Sequence, residues 1–363
     1  MVHIIEPGSL GPSLHSTQSM TARNGILATG NWIVDQVKII DRFPQQDALA
    51  NILEQSVANG GSPYNVLKDM AIMQAPMPLE GIGLIGNDSL GDLIVADCQK
   101  YGISINGLVR TNEVATSYTD VMTVQGTGRR TFFHNRGANA LLTPAHLQEA
   151  IKRSNARIFH LGYLLLLDGL DTLDQFGRTG ASYLLEQASS LGFKTSADLV
   201  SESSERFKQI VPPSLSHIDY LFLNEYEAEK LTGIPIAVGD GVDLEKAEDA
   251  AIELLKAGVR EWVILHFQRG AMAINRSTGT VYQPAVKIPT EVIKGAAGAG
   301  DAFASGVLVG LHEGYPMQEC LRLGVSIAAS CLFNSTCSDS ITPMSEALLL
   351  GDHYGYWKNE GGI

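Results

Sequence analysis

The sequence predicts an α/β fold of three layers, a mainly parallel sheet covered by helices on both faces, with a small antiparallel β-sheet standing off it as a lid. Two observations predict the layered part. Apolar runs of strand length, GIGLIG (81–86), ARIFHLG (156–162), FKTSADL (193–199), DYLFLN (219–224) and EWVILHF (261–267), alternate with helical stretches. Strands that are apolar throughout are those buried on both faces, as in a parallel sheet with helical crossovers. The helical stretches SLGDLIVADCQKYG (89–102), TGASYLLEQASSLG (179–192) and LEKAEDAAIELLKAG (244–258) each stop at a Gly, the residue that most readily adopts the left-handed terminating conformation. A third observation predicts the lid. VKIIDRFP (37–44) and TSYTDVMTVQGTGRRTFFHN (116–135) alternate apolar and polar residues around a turn-like GTG, the period of a sheet with one wet face. These segments assign the lid to about 36–48 and 114–136 of one domain spanning 25–350.

Taken in order, residues 1–24 are polar and rich in Gly, Pro and Ser, an irregular extension outside the core. GILATGNWIVD (25–35) reads as a buried strand ending in Asp35, and the carboxyl end of a parallel strand faces the crevice where ligands bind. In NGGSPYNVLKDMA (59–71), Gly60 and Gly61 permit close backbone approach, and Ser62 and Asn65 lie one turn apart on the helix that follows. Gly81 to Gly86 spell GxGxxG, but the glycines fall inside a strand instead of opening a helix, so no dinucleotide fingerprint is predicted. Arg136, at the end of the lid hairpin, and Tyr163, after the strand 156–162, are placed to border a substrate. Residues 351–363 read as a tail.

The segment richest in chemistry is KGAAGAGDAFASGVLVGLHEG (294–314). Gly295 to Gly300 are all Gly or Ala, Asp301 follows, and Phe303, Val307 and Leu311 then mark one face of a helix. Bare residues at a helix start let the amides of Gly298, Ala299 and Gly300 approach an anion. A carboxylate at the same point can take a proton from an attacking hydroxyl. An anion hole beside a base is what phosphoryl transfer to an alcohol requires. The same pattern also suits a plain helix start with Asp301 as its cap.

The 363 residues are 45% hydrophobic and 18% charged, with a net charge of -13. That composition is globular, and the acidic balance disfavours nucleic acid and anionic membranes as partners. Four cysteines form no CxxC pair, the first residues lack the pattern of a signal peptide, and no run is long enough for a membrane span. A cytoplasmic protein with reduced thiols is the expectation.

Together these segments resemble the PfkB family of carbohydrate kinases, the ribokinase-like fold, across roughly 26–343. The family's GG pair before an Asn-bearing helix is matched by Gly60, Gly61 and Asn65, and its GAGD loop by Gly298, Ala299, Gly300 and Asp301. Its G-N-x-x-x-D start is matched by Gly30, Asn31 and Asp35, and its NxxE element by Asn224 and Glu227. The resemblance implies ATP-dependent phosphorylation of a hydroxyl on a small sugar or sugar derivative. Asp301 is then the general base, and Asp35, Gly61, Ser62 and Asn65 hold the acceptor. Asn224 and Glu227 arrange Mg²⁺ through water, and Asn224, Phe267, Gly270, Gly298 and Gly300 border the nucleotide. It also makes a homodimer through the lid an expectation.

Three departures from the family, at four positions, stand out. Gly295 and Ala296 replace an Asp and a Thr in a region that supports a monovalent cation in relatives, which removes the basis for expecting potassium activation. Phe267 replaces the first Gly of a Gly-x-x-Gly nucleotide loop, and Ser62 stands where ribokinases carry Lys. Two alternatives stay open: a nucleoside kinase of the same fold, for which Trp32 and Tyr64 would supply aromatic walls, and a non-catalytic sugar or nucleotide sensor.

Overall fold

The computed structural model describes residues 22–239 and 241–358. In chain order its strands are β1 (Ile26–Gly30), β2 (Ile33–Ile40), β3 (Ile52–Gly60), β4 (Leu79–Gly86), β5 (Ser104–Thr111), β6 (Tyr118–Val124), β7 (Arg130–Asn135), β8 (Ile158–Leu164), β9 (Lys194–Leu199), β10 (Tyr220–Asn224), β11 (Ala237–Val238), β12 (Gly241–Val242), β13 (Trp262–Phe267), β14 (Gly270–Asn275) and β15 (Gly279–Pro284). Nine of them form the main sheet in the order β15-β14-β13-β10-β9-β8-β1-β4-β5. Every pairing from β5 to β13 is parallel, and β14 and β15 add an antiparallel edge.

Successive residues of β1 enter opposite cores, as the two-residue strand period dictates. Leu27 packs with Phe159, Leu161, Leu221 and Leu265 under one helical layer. Ile26 and Ala28 pack with Phe222, Ile264 and Phe303 under the other. The helix Ala299–Glu313 is buried on almost every face, and it meets the helix Met317–Cys331 at glycines: a Cβ on Gly306 would come within 2.9 Å of the Gly324 Cα.

The lid is a four-stranded sheet in the order β3-β2-β6-β7. Two sequence expectations change here. The run 25–35 is not one strand, because it divides at Asn31 and Trp32 into β1 of the main sheet and β2 of the lid. Gly30 has φ 131, and a Cβ there would collide with the Gly162 carbonyl oxygen, so the chain turns out of the sheet where β8 crosses it. The Trp32 indole then seats over Gly81 and Gly83 of β4 and donates to the Ile82 carbonyl at 2.9 Å. The glycines that spelled a dinucleotide string make room for an indole. The lid segments also differ, since β3, beyond the expected 36–48 and 114–136, is its fourth strand and runs directly into Gly60 and Gly61. Its outer residues are exposed, so the apolar–polar alternation that marks a half-buried strand is weak there.

The chain ends differ as well. Arg23 docks on the domain, donating to the Ala156 carbonyl at 2.9 Å and lying over the Phe193 ring at 3.9 Å. The expected tail from 351 is partly structured: the helix Met344–Tyr354 continues through it, and Tyr356 bridges Val286. The remainder of both terminal expectations, 1–21 and 359–363, lies outside the described residues.

Candidate active site

Asp301 is the third residue of the helix Ala299–Glu313. It does not cap that helix. The cap is Gly298, at φ 78 with no side-chain hydrogen bond, and a Cβ there would stand 2.8 Å from the Cys337 Cβ. A side chain at 298 would be strained twice over, so the helix start stays bare and its amides open.

Asp301 is 4% exposed. Its Oδ2 accepts from the Asn65 amide at 2.6 Å and from the Tyr163 hydroxyl at 2.6 Å, which orients the carboxylate and leaves Oδ1 for a third group. Burial, then the charge of Asp198, push its carboxyl up to about 7, while the two hydrogen bonds pull it down. A carboxylate that titrates near neutrality is matched to taking a proton at physiological pH.

Asn65 reaches Asp301 from the helix Ser62–Ile72, whose cap is Gly61 at φ 83. A Cβ on Gly61 would collide with the Asn31 carbonyl. The Asn65 oxygen accepts from Asn59 at 2.8 Å, which fixes the amide with its NH₂ toward Asp301. Ser62 faces elsewhere than the sequence reading expected. Its fully buried hydroxyl donates to Asp198 at 2.5 Å and lies 3.1 Å from His160 Nε2. His160, held through Nδ1 by Ser196 at 3.0 Å, completes a buried network beneath the base.

Asp35 belongs to the lid, as the third residue of β2, and its carboxylate lies over Gly60, where a Cβ would be 2.8 Å from Oδ2. Burial raises it to about 6, against the pull of the Thr119 hydroxyl and the Arg130 charge. Asp35 lines a cavity of about 340 Å³ under the lid, walled also by Val37, Val121, Phe132, Ala297 and Cys337. A second cavity of about 300 Å³ holds Tyr163, Asp198, Ser201, Asn224, Glu227, Gly298, Gly300 and Asp301. The small-residue loop is the wall between them, with Ala297 on one side and Gly298 on the other.

In the second cavity Asn224 caps the helix Glu225–Thr232, accepting from the Glu227 amide, and Glu227 returns the bond to the Asn224 amide at 3.0 Å. Ser201 donates to Glu227 at 2.8 Å and accepts from Asn224 at 2.7 Å. Burial pushes Glu227 up to about 8, a cost that a nearby cation would relieve. Asp198 adds a buried Oδ1 with no hydrogen-bond partner. Among the described residues no trio of His, Cys, Asp or Glu forms a direct metal cage. The unpartnered Asp198 oxygen and the Glu227 carboxylate are hard oxygen donors of the kind that suit a hydrated divalent cation.

Of the expected residues, Gly61, Ser62, Asn65, Ala299, Arg136, Phe267 and Gly270 do not line these cavities, and the last three also take no part in the hydrogen bonds around Asp301. Arg136 pairs with Asp168 at 2.6 Å at the start of a short helix. Phe267 and Gly270 close a tight hairpin between β13 and β14, with Phe267 stacked on Tyr282 at 6.3 Å. Gly270 is small because a Cβ would meet the Tyr282 hydroxyl at 2.8 Å. The aromatic walls fail too: Trp32 and Tyr64 stack on each other at 5.7 Å and are buried in the core. Sequence reasoning missed Asp198 and His266. Asp198, at the end of β9, carried the same strand-end signal used for Asp35. His266, which lines the second cavity and is lowered to about 4 by burial, carried no signal apart from its strand.

A three-layer α/β/α domain with a lid rooted at the crevice, and a carboxylate behind a bare helix start, defines a phosphotransferase acting on small alcohols. The chain belongs to the pfkB family of carbohydrate kinases, whose description matches residues 25–343. Among solved structures it is similar to Arabidopsis thaliana ribokinase complexed with ribose and ATP, with a TM-score of 0.75 at 22% identity, covering 91% of this chain and 99% of that one. The nucleoside kinase of Methanocaldococcus jannaschii aligns with a TM-score of 0.68 at 15% identity, over 92% of this chain and 100% of that one. Among sequences, an uncharacterized sugar kinase of Archaeoglobus fulgidus is 24% identical over 69% of this chain and 90% of its own length. Among the described residues no helix is long and apolar enough to cross a membrane.

Proposed function

We propose that the chain transfers the γ-phosphoryl group of ATP to a hydroxyl of a sugar or sugar derivative held under the lid. The observation that carries this reading is the setting of Asp301, whose Oδ2 is taken by Asn65 and Tyr163 while Oδ1 stays available beside the uncapped amides at Gly298. The acceptor lies in the cavity of Asp35 and reaches toward Asp301, which Asn65 orients. Asp301 takes the hydroxyl proton, and the amides of 298–300 receive the charge that develops on the phosphoryl oxygens. Bound Mg²⁺ would neutralise the nucleotide phosphates, and Asn224, Glu227 and Asp198 would hold it through water. Tyr163 orients the base. Closure of the lid excludes water from the transfer.

A sugar is favoured over a nucleoside because Trp32 and Tyr64 are consumed in the core, which leaves Phe132 as the aromatic ring on the wall of the cavity under the lid. Arg136, Phe267 and Gly270 have no direct part in this reading. Pairing of two copies through the lid, where Phe132 and Phe133 are exposed, belongs to the proposal, and light scattering at assay concentration tests it. The catalytic reading is tested by ATP turnover across a panel of sugars and nucleosides with Mg²⁺. Sugar-dependent turnover that Asp301→Asn abolishes supports it. Sugar binding without turnover would instead make the chain a sensor.

A further inference from the structure

The cavity under the lid has more positive charge than a neutral polyol needs. Arg130, the first residue of β7, and Lys294, just before the small-residue loop, both line it, opposite the acceptor carboxylate Asp35. In a chain of net charge -13, neither cation has a carboxylate within ion-pairing distance among the described residues. Arg130 donates one N–H to the Ser335 carbonyl at 3.2 Å, which leaves most of its five donors unused. Lys294 is exposed and makes no side-chain bond among the described residues. Glu54, the other carboxylate on this wall, sits exposed on the edge strand β3 and pairs with neither.

The loop is built around this guanidinium. A Cβ on Gly295 would come within 2.8 Å of Arg130 Nη2, so the bare residue lets the guanidinium lie against the loop. The Arg130 charge also reaches Asp35, whose carboxyl it pulls down. Both residues line the same cavity of about 340 Å³, so one small ligand can span them. When the lid closes and water leaves, two unpaired cations would be stranded in a drying cavity, which is costly unless an anion meets them.

We infer that the acceptor is an anionic sugar derivative, a polyol bearing a carboxylate or phosphate, with its hydroxyls toward Asp35 and its anionic group on Arg130 and Lys294. The inference rests on the kinase reading above and deepens it. A guanidinium and an ammonium together suit either anion.

The test compares matched acceptors with Mg²⁺-ATP: gluconate against glucitol, and fructose 6-phosphate against fructose. It uses the wild-type chain, Arg130→Met and Lys294→Met. The anionic member of at least one pair is expected to be preferred, and which pair responds separates carboxylate from phosphate. Each substitution should raise KM for that anion about 10- to 100-fold, the loss of one charge-assisted contact, and raise it by much more than KM for the neutral partner. A neutral acceptor preferred in both pairs would overturn the inference and leave the kinase reading intact. So would an equal loss for every acceptor, which would assign the cations to the transferred phosphoryl group. If no acceptor turns over, the kinase reading fails by itself, and calorimetry with gluconate and with inorganic phosphate, the nucleotide site saturated by a non-hydrolysable ATP analogue, decides the anion site. Binding lost in either variant supports it, and no binding by the wild-type chain overturns it.

Discussion

Replacing Asp301 by Asn should trade catalysis for stability, in amounts the site geometry sets. Loss of a positioned general base lowers kcat by about 10²- to 10⁴-fold. The stability effect follows from the buried carboxyl, carried from 3.8 to about 7. Between those values the folded chain keeps a proton that the unfolded chain has released, so the stabilisation is complete below the lower value and disappears as pH rises through the upper one. At ~1.36 kcal/mol per pKa unit the full effect is ~4 kcal/mol at most, and ~2–3 kcal/mol of it falls between about pH 5 and pH 8. Asn carries no titrating group. Urea unfolding of both proteins should therefore show the variant gaining that margin on the wild type as pH rises. Asp35 and Glu227, which also titrate upward, are common to both chains and cancel. The wild-type kcat/KM should climb with pH to a plateau, half-maximal near 7. Parallel stability curves, or a variant with undiminished turnover, would refute the assignment of Asp301 as a desolvated base.

Three further outcomes are expected. Tyr163→Phe removes a donor from ionised Asp301, so the midpoint of the pH–rate profile should move up by about one pH unit, the worth of one charge-assisted hydrogen bond. An unmoved midpoint would separate Tyr163 from the base. Gly298→Ala places a Cβ 2.8 Å from Cys337 at φ 78, so thermal unfolding should show a loss of at least 1–2 kcal/mol, and kcat should fall as the amides shift. Phe267→Ala removes a stacked, partly buried ring and should cost about 2 kcal/mol of stability while leaving KM for ATP within about twofold. A large rise in that KM would return Phe267 to the nucleotide site.

The elements easiest to read in the sequence were those buried on both faces. β4, β8, β9, β10 and β13 lie within a residue or two of the expected runs, because strands between two helical layers are apolar throughout. β15 at the edge of the main sheet and β3 at the edge of the lid escaped, since a partly exposed edge strand has a diluted pattern, and β14, short but buried, was not among the expected runs. In the site, the Gly and Asp positions were legible because special backbone conformations leave residue-level marks, as at Gly61 and Gly298. Contacts between distant segments were not. Nothing local to Ser62 foretells that its hydroxyl turns to Asp198, which comes from another strand. Nor does anything local to Trp32 reveal that Gly81 and Gly83 wait beneath it. Nor does anything local to Arg136 reveal its ion pair with Asp168, 32 residues further on.

The lid leaves the domain at Gly30 and returns at Gly60 and Gly61, a few residues from Asn65 and the base. Its far turns, around 41–51 and 125–129, touch none of the groups that handle the proton or the phosphates. Lengthening or recolouring those tips would redraw the space offered to an acceptor while the reacting atoms keep their places. On the proposed reading, choice of acceptor and chemistry are separated along the two hairpins of the lid, so that specificity changes at the tips would leave the base in place.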